Sequence, residues 1–117
     1  YFTHSLASCW NHGNAHFLRG VLSDLLARGH EVRVFEPENA WSLANLLQDH
    51  GLEALEPWRE AYPELSSLAY VEDADLEAMT EEADLVIVHE WNDPALVAAL
   101  GSMRRRGAAF RLLFHDT

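Results

Sequence analysis

Four consecutive aliphatic residues, Leu85-Val86-Ile87-Val88, constrain the fold more strongly than any other stretch of the chain. A strand with one solvated face alternates apolar and polar side chains, whereas a strand covered on both faces is apolar throughout. The run is bounded by Asp84 and His89 and has the length of an ordinary strand. It therefore predicts a central parallel strand with helices packed on both faces of the sheet.

The rest of the chain alternates between strand and helix patterns, which sets the predicted topology. Strands are predicted over residues 1–3, 31–36, 67–71, 85–88 and 109–114, and helices over 15–28, 39–50, 73–82 and 92–106. Such alternation implies a parallel sheet with right-handed crossovers. We therefore predict a single α/β domain over residues 1–117, with a Rossmann-like, doubly wound sheet of about five strands in the order 3-2-1-4-5.

Three polar segments follow predicted strands and are expected to meet in space. They are residues 3–14, 89–93 and 115–117. Ligands of doubly wound sheets bind outside the carboxyl ends of the strands, at the point where the strand order reverses. The predicted strand order thus places all three segments at one crevice, which we predict to be the binding site.

The first of these segments ends at His12-Gly13-Asn14, where the first predicted helix opens. Free backbone N–H groups and the helix dipole favour an anion there, and Gly13 would let the backbone approach a phosphate closely. The alternative is a tight turn at Gly13 with asparagines that only cap the helix. Glu36 has the position expected of a ribose-binding acid in a dinucleotide site. Such a site is nevertheless disfavoured, because the G-x-G-x-x-G pattern is missing.

The other two segments place imidazole and carboxylate groups directly after strands. His89-Glu90 and His115-Asp116 could hydrogen-bond sugar hydroxyls, act as acid or base, or bind a metal ion. Each could equally be a strand-end residue satisfied by the backbone. Asn92-Asp93-Pro94 supplies a helix start beside them. Trp91 could stack on a ligand ring or pack in the core.

Charge and composition exclude several function classes. The net charge is −11, all eight basic residues are arginine, and residues 31–90 carry 16 acids against two arginines. This acidic middle argues against a nucleic-acid surface, and the lack of lysine excludes a Schiff-base lysine. The single cysteine, Cys9, permits no internal disulfide and suits the cytoplasm. The sequence shows no membrane-spanning run, while peripheral membrane contact stays open.

With these residues in place, the chain resembles the N-terminal domain of GT-B glycosyltransferases, especially the retaining family 4-like enzymes. The likeness lies in Asn11-His12-Gly13-Asn14-Ala15-His16 with Leu25-Leu26-Ala27-Arg28-Gly29-His30-Glu31-Val32, in Asp84-Leu85-Val86-Ile87-Val88-His89-Glu90, and in Phe114-His115-Asp116-Thr117. It covers nearly the whole chain, although residues 40–75 match nothing distinctive. Many relatives have two glycines in the first loop, where this chain has His12-Gly13-Asn14.

The resemblance implies a glycosyltransferase that takes a sugar from a nucleotide-sugar donor to an acceptor, without a bound metal or other cofactor. Gly13 would approach the donor diphosphate, and His115 would lie beside the transferred sugar. His89, Glu90, Asn92 and Asp93 would line the cleft.

Two further expectations concern the rest of such an enzyme. The chain would be a truncated, acceptor-side piece, inactive without a C-terminal domain that binds the nucleotide sugar. A metal-dependent hydrolase built on the histidines and carboxylates, and a non-catalytic binding module, remain as alternative functions.

Overall fold

The computed structural model describes residues 1–7 and 14–116. Helices are α1 (Asn14–Ala27), α2 (Trp41–His50), α3 (Glu56–Ala61), α4 (Leu76–Met79) and α5 (Pro94–Arg105), with a 3₁₀ turn at Leu52–Leu55. Strands are β1 (Phe35–Pro37), β2 (Leu68–Tyr70), β3 (Leu85–His89) and β4 (Arg111–His115). The predicted alternation of helix and strand is therefore present. In the described part of the chain, no helix is both long and apolar enough to cross a membrane.

The strands form two parallel pairs. β1 lies beside β2 with Phe35 opposite Leu68, and β3 lies beside β4 with Leu85 opposite Arg111 and His89 opposite His115. Phe2 lies between the pairs and makes an isolated parallel bridge to Phe35 on one side and to Val88 on the other. Its N–H donates to the Ile87 carbonyl at 2.8 Å, and its carbonyl accepts from the His89 N–H at 2.9 Å.

The prediction of a five-stranded, doubly wound sheet is wrong for the part of the chain that the structure describes. Two separate two-stranded parallel sheets are found instead. Residues 31–34, predicted as strand from their alternation, are not in a strand, and β1 is only three residues long. The first segment contributes one bridging residue, Phe2, and a ladder needs several successive paired residues. The alternation of apolar and polar residues therefore indicated an extended backbone, but it did not predict which strand that backbone would pair with.

The buried apolar residues form two clusters, one with α5 and the other with α1. Val86 and Val88 of β3 join Phe2, Phe35, Leu100 and other residues in one buried cluster that includes α5. A second cluster contains Leu6, Val34 and Leu65 with Leu18 and Leu22 of α1. The aliphatic run of β3 is less enclosed than predicted, because Leu85 is 43% exposed while Val86 and Val88 are buried.

The start of α5 agrees well with the sequence prediction. Asp93 is the N-cap, its Oδ1 accepts a hydrogen bond from the Ala95 N–H at 2.8 Å, and Pro94 occupies the first turn. At α2 the predicted cap, Asn39, is not used. The N-cap there is Ala40, which makes no side-chain capping bond. Gly51 ends α2 with φ of 71°, a conformation that favours glycine.

Candidate functional site

The carboxyl ends of the strands bring two predicted site histidines together. His89 and His115 are the last residues of β3 and β4 and lie opposite each other in the register. Their ring centroids are 5.0 Å apart, with the rings nearly perpendicular at 79°. The Glu90 N–H donates to the His115 carbonyl at 3.0 Å and extends the pairing one residue further. We call Tyr1, Phe17, His89 and His115 the histidine cluster.

His89 is fully buried and its ring orientation is set by the following turn. The Trp91 backbone N–H donates to His89 Nδ1 at 3.2 Å. A ring nitrogen that accepts a hydrogen bond carries no proton, so neutral His89 has its proton on Nε2. The turn after β3 thus selects one tautomer of this histidine.

His115 is half-buried and lies among aromatic side chains. The Tyr1 hydroxyl is hydrogen-bonded to His115 Nδ1, and the Phe17 ring centroid lies 5.2 Å from that of His115. Burial raises the pKa of the Tyr1 phenol above its ordinary value. The phenol therefore keeps its proton at neutral pH, and its hydrogen bond with Nδ1 holds one edge of the His115 ring.

Asn92 ties the first segment to the end of β3. Its Nδ2 donates to the Phe2 carbonyl at 3.0 Å and to the His89 carbonyl at 2.9 Å. Its Oδ1 accepts from the Tyr70 hydroxyl at 3.3 Å. Both amide hydrogens of this buried side chain are therefore used to position the strands, while its predicted contact with substrate stays a prediction.

A cavity of about 480 Å³ opens at the same strand ends, beside the histidine cluster. Its aromatic wall comprises His4, Trp41, Tyr70 and Trp91. The Trp41 and Trp91 rings are stacked, with centroids 5.7 Å apart and an interplanar angle of 26°. His4 lies 5.2 Å from Trp41 and 6.2 Å from Trp91 between ring centroids. We call this cavity the aromatic pocket.

Three carboxylates line the aromatic pocket: Glu38 after β1, Glu72 after β2 and Asp93 at the start of α5. The negative charge of Asp93 acts on Tyr70, one of the aromatic residues of the wall. Burial, and secondarily the Asp93 carboxylate, raise the pKa of the Tyr70 phenol to about 12. None of the lining residues that the structure describes is a lysine or an arginine, so the pocket is an acidic environment.

Two buried ionisable side chains hold the peptide of Leu6, close to the cleft. Glu36 Oε1 accepts from the Leu6 N–H at 2.8 Å. Arg19 donates through Nε to the Leu6 carbonyl at 2.7 Å and through Nη2 to the Ala7 carbonyl at 2.9 Å. Burial raises the pKa of Glu36, although hydrogen bonds from Leu6 and Ser67 act in the opposite direction. We call Arg19 and Glu36 the Leu6 brace.

Several predicted site residues lie outside the described residues or are described only in part. His12, Gly13 and Thr117 are outside them, and Asn14 is described by its backbone alone as the first residue of α1. The predicted anion site at the start of α1 therefore stays a prediction. Glu90 is half-buried and Asp116 is exposed. Over residues 1–7 and 14–116, no group of three or more His, Cys, Asp or Glu side chains could hold a metal ion.

Sequence reasoning missed four residues of this region: Tyr1, Arg19, Trp41 and Tyr70. Tyr1 and Tyr70 fall in predicted strands, and Trp41 falls in the helix predicted over residues 39–50. Trp41 directly follows the connection that leaves β1, at the carboxyl edge, so topology could have marked it. Arg19 lies within the helical periodicity of α1, and no local pattern signals its bond to a carbonyl 13 residues away.

The fold and the site together define an α/β protein with parallel strand pairs and a polar, aromatic-rich cleft at their carboxyl ends. Comparison with known protein families, curated proteins and solved structures gave no match.

Proposed function

We propose that this chain forms the acceptor-side half of the active-site cleft in a nucleotide-sugar-dependent glycosyltransferase. The observation that supports it most is the placement of His89 and His115 side by side at the carboxyl ends of two parallel strands, next to a pocket walled by aromatic rings. Aromatic faces stack on sugar rings, and imidazole and carboxylate groups hydrogen-bond sugar hydroxyls.

In the proposed reaction, the bond between the sugar anomeric carbon and the nucleoside diphosphate breaks, and the acceptor hydroxyl oxygen bonds to that carbon and loses its proton. The transition state resembles an oxocarbenium ion. His115 would bind the transferred sugar through Nε2, since its Nδ1 is held by Tyr1. His89, fixed by the Trp91 N–H, would position the His115 ring across the register.

The remaining parts of the site are also proposals. The diphosphate would meet His12, Gly13 and Asn14 at the start of α1, and a second domain would bind the nucleotide. Glu90, Asn92, Asp93 and Asp116 would complete the acceptor side. A cytoplasmic location belongs to the same proposal, because the chain contains a single cysteine.

Sugar transfer by the full-length protein tests this function. With a panel of nucleotide-sugar donors, His115→Ala should lower kcat/KM by about a hundredfold, the usual cost of losing one group that stabilises the transition state. The matched control is His30→Ala, an exposed histidine just after α1 and outside the cleft. Equal activity of the His115 variant and the control would exclude His115 from the site. A protein that binds ligands but transfers no sugar would support the non-catalytic binding module.

A further inference from the structure

We propose that the aromatic pocket binds a protonated amine carried on a hydroxylated ring, that is, an amino sugar or an aminocyclitol. The inference rests on the proposed function and deepens it by naming the class of acceptor.

The charge of the lining selects a cation. Glu38, Glu72 and Asp93 line the cavity, and its lining over residues 1–7 and 14–116 includes no lysine or arginine. Among the lining residues that the structure describes, the histidine is His4, whose Nε2 faces the Ser42 backbone N–H at 3.4 Å. A phosphate-bearing donor would be repelled by this acidic lining, whereas an ammonium group would be attracted to it.

The aromatic wall provides the second element of recognition. Trp41 and Trp91 stack on each other, and Trp41 is 45% exposed although it is one of the largest apolar side chains. Its exposure leaves indole surface at the cavity for an apolar ring face or a cation. An ammonium group over an indole is attracted by the ring quadrupole, most strongly for tryptophan among the aromatic residues. Carboxylates beside indoles therefore suit a ring that carries both hydroxyls and a positive charge.

The size and location of the pocket agree with a small acceptor. Its volume of about 480 Å³ lies within the ~300–1,000 Å³ range of small-molecule sites. Trp91, which contributes to the wall, also donates its backbone N–H to His89 in the histidine cluster. A ring in the pocket would thus lie next to the cluster where transfer is proposed.

Binding can be measured without any donor, by following tryptophan fluorescence while the 117-residue protein is titrated with glucosamine in mildly acidic buffer. N-acetylglucosamine is the matched probe, because it keeps the ring and hydroxyls but loses the positive charge. We expect glucosamine to bind at least about tenfold more tightly. Equal affinities for the two sugars, or no binding of glucosamine, would overturn the proposal.

Isosteric variants locate the bound amine. Glu72→Gln and Asp93→Asn should each weaken glucosamine binding about 3- to 30-fold and leave N-acetylglucosamine unchanged. Asn is a good N-cap, so Asp93→Asn removes the charge and keeps the start of α5 intact. Trp41→Ala should weaken the binding of both sugars. The control is Glu53→Gln, which removes one exposed charge from the 3₁₀ turn outside the pocket. Weakening by the control equal to that of the pocket variants would contradict the assignment.

The two proposals fail separately. If glucosamine does not bind but His115→Ala lowers transfer as expected, the amine acceptor is wrong and the glycosyltransferase proposal stands. If glucosamine binds with the expected variant pattern and no donor supports transfer, the pocket assignment stands and the enzymatic proposal is wrong.

Discussion

Replacing Arg19 with methionine should produce the largest loss of stability of any single change at the cleft. Arg19 is 5% exposed, and its guanidinium donates to the carbonyls of Leu6 and Ala7 at 2.7 and 2.9 Å. It also lies over the Tyr62 ring, with Cζ 5.4 Å from the centroid. Methionine keeps most of the aliphatic volume, so the change removes the bonds without opening a large cavity.

The size of the effect follows from these contacts. Each hydrogen bond from a charged donor contributes about 1.5–3 kcal/mol, and the cation–π contact about 0.5–2 kcal/mol. The contributions are not additive, because desolvation of the guanidinium opposes them. We expect a net loss of about 3 kcal/mol in the free energy of unfolding, a large part of the roughly 5–15 kcal/mol available to a domain. Tm should fall by about 10 °C.

Urea unfolding followed by circular dichroism measures this loss, and an unchanged slope m would show that compactness is preserved. Arg28→Met is the matched control, since Arg28 makes an exposed ion pair with Asp24 at 2.7 Å, with side chains 67% and 61% exposed. Such pairs contribute little, so the control should change stability by less than about 0.5 kcal/mol. If the Arg19 variant loses no more free energy of unfolding than the control variant, the Leu6 brace does not stabilise the fold.

Three further predictions concern single side chains at the same edge. Glu36 has a raised pKa in the folded state, so its contribution to stability is present below the unfolded pKa of about 4.3 and is lost as the pH rises through the folded pKa. Denaturant unfolding at a series of pH values should therefore show the wild type losing stability relative to Glu36→Gln across that window; parallel profiles would contradict the assignment. Asn92→Ala removes three hydrogen bonds and should cost about 2–3 kcal/mol in urea unfolding, and a loss below about 0.5 kcal/mol would mean that the strands hold without it. Asp93→Ala should cost about 1 kcal/mol through loss of the helix cap, whereas Asp93→Asn should stay within a few tenths of the wild type in thermal unfolding; equal losses would show that charge rather than capping matters there.

Features that depend on neighbouring residues were predictable from the sequence. The Asp93-Pro94 start of α5 follows from local backbone chemistry, and the aliphatic run at β3 identifies a strand by composition alone. The meeting of His89 and His115 also followed, because two parallel strands that both end in histidine carry those residues to one edge. In each case the determining contacts lie within a few residues or follow from the alternation of elements.

Features that depend on distant partners were not predictable. The prediction of a five-stranded sheet was wrong. The alternation of apolar and polar residues over 31–34 indicates an extended backbone but does not show which strand lies hydrogen-bonded beside it. Glu36 suited a ribose-binding acid by its position, yet its carboxylate accepts from the Leu6 N–H, 30 residues away. Trp41 fitted helical periodicity and lies instead at the cavity, stacked on Trp91. Helical periodicity predicts the side of a helix on which a residue lies. Only the tertiary structure shows which other residues that side contacts.

The aromatic pocket takes its walls from both strand pairs, with Trp41 and Tyr70 on the side of β1 and β2, and Trp91 and Asp93 after β3. The pairs are joined through the backbone of Tyr1–Thr3. A ligand that needs both walls binds only while this junction is closed, so at a hundred times its Kd it would stabilise the closed state by about 2.7 kcal/mol. Amide hydrogen exchange at Phe2, Thr3, Phe35 and His89 should therefore slow when the pocket is filled, which makes the central junction a reporter of occupancy.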